Sequence, residues 1–157
     1  MMNLLDSYKP KVSKKVIYLL LGFSLLGLMD ASYLTTNHYL GEKVACSVVA
    51  GCEIVLTSKY SEIFGIPVAL LGVLYYSAVF ILAYVILVSQ SEKAFKLLSA
   101  IIGVGMLATL YFVGLQLLVI KAICQYCMIS AFATTILVIL VGCVWLKSIK
   151  ETKKQII

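Results

Sequence analysis

The chain has 157 residues, 62% of them hydrophobic and only 13% charged. A water-soluble domain of this size keeps about a quarter of its residues charged, so the composition excludes an ordinary soluble fold and points to a membrane protein. The net charge of +6 rests on thirteen basic residues, all Lys, grouped beside apolar runs. That placement sets orientation in a bilayer and argues against nucleic acid as a partner.

The predicted architecture is all-α, a four-span bundle. The apolar stretches run from Val16 to about Asn37, Pro67 to Val88, Leu97 to Ile120 and Cys127 to Trp145. Each approaches the roughly 20 residues that cross a hydrocarbon core. Short breaks between them predict antiparallel neighbours. The organisation expected is one domain over 16–146, with Lys-rich tails at 1–15 and 147–157 and an outer loop at 38–66. The first span follows Lys9, Lys11, Lys14 and Lys15, as a signal peptide would. Asp30-Ala31-Ser32-Tyr33 is a poor cleavage site, however, so this segment is expected to remain a span.

Ten lysines fall on one side: four in the N-terminal tail, Lys93 and Lys96, and four from Lys147 to Lys154. Only Lys43, Lys59 and Lys121 fall on the other, where Glu42, Glu53 and Glu62 offset the first two. The positive-inside rule then predicts cytoplasmic termini in a cell membrane, with the 38–66 loop and the turn at Lys121–Cys124 outside. Apolar residues in that loop, Cys52 to Leu56 and Ile63-Phe64, predict a short amphipathic helix that buries them against the bundle as a cap. Gly65-Ile66-Pro67 reads as a break, with Pro in the first turn of the second span.

Cys124-Gln125-Tyr126-Cys127 opens the fourth span. Residues three apart share a helix face about one turn apart, close enough for a disulfide, and a helix start favours the nucleophilic thiolate. Cys124 is expected at the outer interface and Cys127 one turn deeper. Cys46 and Cys52 lie on the same side in the loop. Three readings follow: a redox relay from pair to pair through mixed disulfides, two static disulfides in a structural or transport protein, or a four-Cys metal site. A metal is not expected, because the chain's single His, His38, offers little to such a site. Cys143 has no partner and reads as a small buried hydrophobe.

A relay needs an electron sink. The chain carries no nucleotide fingerprint and no haem motif, so a membrane-dissolved quinone such as menaquinone or ubiquinone is expected, met by Cys127. Asp30 is the one acid within a span. With Tyr33 and Asn37 it makes a polar stripe expected to face the bundle interior, near the quinone or as an anchor. Tyr18, Tyr39, Tyr60 and Tyr126 fall at the interfaces, whereas Tyr75, Tyr76, Tyr84 and Tyr111 are expected deeper, as packing.

Asp30-Ala31-Ser32-Tyr33-Leu34-Thr35, Cys46, Cys52, Ser58, Ile63-Phe64-Gly65-Ile66-Pro67-Val68, Leu70-Leu71-Gly72, Tyr111 and Ile123-Cys124-Gln125-Tyr126-Cys127 together resemble the vitamin K epoxide reductase family over about Val16 to Trp145. The resemblance implies a four-helix bundle around a quinone, capped by a loop with a short helix. It implies that Cys127 meets the quinone and Cys124 exchanges with the loop pair. Cys46 and Cys52 would then take electrons from a thioredoxin-like protein, with Ser58 in the capping helix near the redox centre. Animal members carry Thr-Tyr-Ala after the CxxC, whereas Ser130-Ala131-Phe132 occupy that neighbourhood here. A bacterial-type role in disulfide formation is therefore expected over vitamin K epoxide reduction, with a separate DsbA-like partner. A DsbB-type bundle would carry its two cysteine pairs in the opposite order.

Overall fold

The computed structural model describes residues 12–42, 44, 46 and 51–156, with the side chains of 152–156 excepted. Helix α1 spans Lys14–Leu40, α2 Cys52–Leu56, α3 Val68–Ser89, α4 Glu92–Gly114 and α5 Gln125–Ile156. A single π-helical turn, Leu115–Ile120, prolongs α4. The four long elements are each apolar and long enough to cross a bilayer. Their outward faces carry Leu, Val and Ile throughout, which is how a chain looks when its solvent is lipid.

Three of the four spans reach beyond the bounds set by apolar length alone, while α3 is shifted by one residue at each end. Helix α4 starts at Glu92 because Ser91 caps it, accepting the Ala94 N–H at 3.4 Å, and Glu92 pairs with Lys96 at 2.6 Å one turn on. Helix α5 continues through Lys147 and Lys150, so the expected C-terminal tail is helical up to Ile156. The 1–11 portion of the N-terminal tail lies outside the described residues.

Helix α1 packs chiefly on α3 and then on α5, while α4 closes the bundle against α5 and α3. The core runs through Ile17, Leu20, Val79, Ala83, Ile86, Leu98, Ile102 and Leu137. Tyr76 is the largest side chain within it and is 1% exposed. Its hydroxyl lies 2.8 Å from Ser130 Oγ, 2.9 Å from Thr134 Oγ1 and 2.8 Å from the Ser130 carbonyl. One tyrosine thereby satisfies two hydroxyls that α5 turns inward and pins α3 to α5. Nearer the opposite end, Trp145 Nε1 donates to Ser99 Oγ at 3.1 Å, joining α5 to α4.

Several expectations are corrected. The cap holds a short helix, but only its 52 and 55 positions are buried; Ile54 points outward. A five-residue helix has room for one inward face, so the 54 position falls opposite it. Ile63 and Phe64 belong instead to a minimal hairpin, Glu62–Ile63 against Ile66–Pro67, turned by Phe64 and Gly65 at φ 52° and 77°. Two successive positive φ values match the twist of a hairpin, and they turn Phe64 fully outward. His38 Nε2 lies 3.3 Å from Glu62 Oε1, tying the hairpin to the end of α1. Pro67 stands one residue before α3 as its cap. Tyr84 and Tyr111 lie on outward faces, and so does Cys143, which is exposed where a buried hydrophobe was expected. Its position on α5 points away from the seam formed by Val141, Val144 and Ser148.

Replacing Tyr76 by Phe removes the hydroxyl shared by Ser130 and Thr134. The expected loss of unfolding free energy is about 1 kcal/mol, measurable by denaturant or thermal unfolding of the purified protein in detergent.

Candidate redox site

The site is assembled where α4 gives way to α5. The π turn ends at Lys121, which adopts the left-handed conformation and donates its N–H back to the Gln116 carbonyl. The Ala122 N–H reaches the same carbonyl at 3.2 Å. Gln116, 3% exposed, then turns its side chain toward the cysteines: Oε1 accepts the Cys124 N–H at 2.9 Å. Helix α5 begins one residue later, with Met128 N–H bonded to the Cys124 carbonyl at 3.1 Å.

Cys124 is completely buried and Cys127 half-buried, and both are free thiols. The Cys127 N–H points at Cys124 Sγ, 3.5 Å away. A hydrogen bond from the Cys127 thiol is the largest influence on Cys124, and the N–H groups of Cys127 and Tyr126 add to it. Together they outweigh burial and the negative charge of Asp30 and hold the Cys124 thiol down to about 7. A helix start that aims N–H groups at a sulfur stabilises the thiolate in this way.

Cys46 and Cys52 are disulfide-bonded, with Cα atoms 5.8 Å apart. Cys52 and Val55, on the buried face of α2, pack with Cys124 into one apolar cluster, against which Cys46, Cys127, Tyr126, Ile120 and Ala122 also lie. The two pairs predicted from sequence are thus brought together. Gly51 makes the approach possible: a Cβ there would stand 2.5 Å from the Ile123 carbonyl oxygen and 2.8 Å from its nitrogen. Backbone cannot yield at that distance, so only glycine lets the start of the cap helix lie against the strand of chain leading into the CxxC.

The remaining candidates divide. Asp30 is near enough to act electrostatically on both CxxC thiols. Its Oδ2 and the Tyr75 hydroxyl are buried atoms without a hydrogen-bond partner among the described residues. An unpartnered carboxyl oxygen of Asp30 inside an apolar bundle, with a tyrosine hydroxyl also buried there, has the chemistry to meet a ligand that carries carbonyl or hydroxyl oxygens, as a quinone does. The polar stripe of α1 faces inward only in part. Asn37 is buried and its side chain donates to the Tyr33 carbonyl at 2.8 Å. Tyr33 itself is 47% exposed and packs on Tyr126 with ring centroids 5.2 Å apart. Ser58 follows α2 rather than lying within it, and its hydroxyl bonds the Val55 carbonyl at 2.8 Å.

Sequence reasoning passed over Gln116 and treated Tyr75 as packing. Both left a signal: a carboxamide alone in a long apolar run must find a polar partner, and a deep tyrosine carries a hydroxyl that must be answered.

The sequence model of the Vitamin K epoxide reductase family matches residues 18–142. A curated relative, "Thiol-disulfide oxidoreductase LTO1" of Arabidopsis thaliana, is 27% identical over 136 residues, which cover 82% of this chain and 34% of that protein. The chain therefore spans about a third of the length of that relative.

With Cys46, Cys52 and Cys143 replaced by Ala, site-resolved alkylation followed by mass spectrometry isolates the CxxC. The Cys124 rate is expected to rise with pH to half its maximum near 7 instead of at the ordinary thiol value of 9.0, because the thiolate is the reacting form. In a Cys46→Ala, Cys127→Ala variant, Cys52 and Cys124 are expected to form a disulfide under mild oxidation, read on non-reducing gels. Adding Gly51→Val should cut its yield at least about fivefold, since the contact with Ile123 is then closed off.

Proposed function

The chain belongs to the vitamin K epoxide reductase family, and on that footing we propose that it passes electrons from a separate thioredoxin-like or DsbA-like dithiol protein, through its two cysteine pairs, to a membrane quinone. It is a multi-pass membrane protein and a thiol–disulfide oxidoreductase by that membership. The observation that carries the finer reading is the shared cluster: Cys52 and Cys124, one from each pair, are buried side by side.

The partner's thiolate attacks Cys46, the more accessible sulfur of the loop disulfide, forming a mixed disulfide and releasing the Cys52 thiolate. The partner's second thiol resolves that bond, leaving the partner oxidised and the loop reduced. Cys52 then attacks Cys124 of a Cys124–Cys127 disulfide and releases Cys127 as a thiolate. Attack of Cys46 on Cys52 restores the loop disulfide and frees Cys124. Two electrons and two protons have moved to the CxxC, each exchange conserving thiols and disulfides.

A bound quinone supplies a sink for two electrons and two protons. Asp30 and Tyr75 are suited to orient it and to hold a proton in a region closed to water, while Cys124 and Cys127 close their disulfide. Tyr33, packed at a tilt on Tyr126, and Ser58, bonded to the Val55 carbonyl in the cap, have no direct part in this reading. The lysine asymmetry supports cytoplasmic termini, with the cap outside a cell membrane. A single domain over 16–146 is proposed with it.

Anaerobic quinone reduction by the purified protein tests the reading. Dithiothreitol and then a DsbA-like protein serve as donors. Cys124→Ala or Cys127→Ala should abolish turnover with either donor. Cys46→Ala and Cys52→Ala should keep turnover with dithiothreitol and lose at least about 100-fold with the protein donor. Full protein-driven turnover in a loop variant would exclude the relay. Cys143→Ala should change neither.

A further inference from the structure

The role of Gln116 extends beyond the four cysteines. Its backbone carbonyl is already occupied by the N–H groups of Lys121 and Ala122, so the side chain is not needed to end the π turn. The side chain nevertheless lies buried, with Oε1 on the Cys124 N–H at 2.9 Å. Its other end reaches the Cys127 thiol. One carboxamide therefore touches both residues of the CxxC. The π turn explains how: the added residue per turn shifts Gln116 out of the register that an uninterrupted α-helix would give, and such turns recur at functional sites.

The chemistry at Cys127 gives that contact a purpose. Resting on the relay proposed above, Cys127 becomes a thiolate whenever Cys124 is held in a mixed disulfide, and it then loses Cys124 as a hydrogen-bonding partner. The acidic side chain that acts on both thiols is Asp30, which when ionised opposes a second negative charge there. Beyond the field of the α5 start, a neutral side-chain N–H donor is a way to stabilise a leaving thiolate in such surroundings.

We propose that Gln116 is a positioning residue of the CxxC, its amide oxygen fixing the Cys124 backbone and its amide N–H receiving the Cys127 thiolate. The carboxamide suits this task because it offers acceptor and donor from one planar group. A carboxylate or an aliphatic side chain offers at most one of the two.

The test uses Gln116→Met, which fills similar volume without either polar group, and Gln116→Glu, which keeps an oxygen for the Cys124 N–H and, when ionised, has no donor. Both are read at pH 9 in the full-length protein, with Cys46, Cys52 and Cys143 replaced by Ala for the labelling arm. The expected result is a Cys127-to-Cys124 alkylation ratio lowered about tenfold in both variants. With the loop cysteines restored, kcat for dithiothreitol-driven quinone reduction falls about tenfold and the donor KM is unchanged. A wild-type alkylation ratio in Gln116→Glu overturns the proposal, whether or not Gln116→Met folds. If instead the ratio drops as expected but the wild-type protein reduces no quinone, the relay to quinone fails and the positioning role stands.

Discussion

Between Ile120 and Gln125 the backbone has to leave one membrane helix and enter the next without the i→i−4 ladder, in a chain whose surroundings are apolar. A buried peptide group left unpaired there, as at Cys124, costs about 1–3 kcal/mol. Gln116 answers most of that demand: its main-chain carbonyl takes two N–H groups from the turn and its side-chain oxygen takes a third, from Cys124. The answer also fixes where α5 begins. The start of α5 in turn sets the depth and direction of Cys124 and Cys127, so the redox geometry follows from a hydrogen-bonding constraint on the turn.

The cap depends on the same turn. Gly51 lies against the Ile123 backbone, and α2 buries Cys52 and Val55 over Cys124. Contact this close is made by backbone, which has a single shape, so it holds Cys52 in register with the CxxC better than side-chain packing would. The clasp between His38 and Glu62 and the hairpin that leads into α3 anchor the far end of the cap. Fastening at both ends leaves two sulfur pairs in one cluster without a bond between them, an arrangement that exchange chemistry requires.

Much of this was legible from residue order alone. Four apolar runs of span length gave the bundle, and the cysteine spacings singled out the pairs that the fold brings together. The misses have local causes. The hairpin was hidden because Phe64 occupies a left-handed position where Asn or Asp is the usual signal, and strands of two residues show no alternation. Burial of Ile54 and Phe64 was expected on the premise that apolar residues avoid the surface, a premise that weakens at the edge of a bilayer. The same weakness misplaced Cys143, Tyr84 and Tyr111, since a helix in lipid turns apolar residues outward as readily as inward. Gln116 escaped notice because attention inside the spans went to the formal charge of Asp30. The depth of a neutral amide shows only once the π turn has rotated it.

The hydrogen bonding around Cys124 also bears on the direction of electron flow. A thiol held down to about 7 from an ordinary 9.0 favours the reduced CxxC, because only the reduced form can carry the stabilised thiolate. The size of that bias depends on how far the medium exceeds the lowered value: about 0.4 kcal/mol at pH 7 and about 1.4 kcal/mol at pH 8. It acts while the proton is absent and vanishes as the pH falls below the lowered value, where the reduced thiol is protonated whether or not its value has been shifted. Each 1.4 kcal/mol is equivalent to about 30 mV for a two-electron couple. In the proposed relay this bias would favour transfer of electrons from the loop pair to the CxxC, from Cys46 inward to the buried Cys124. The push is modest, so in the proposed relay the larger share of the driving force falls to the acceptor beyond Cys127.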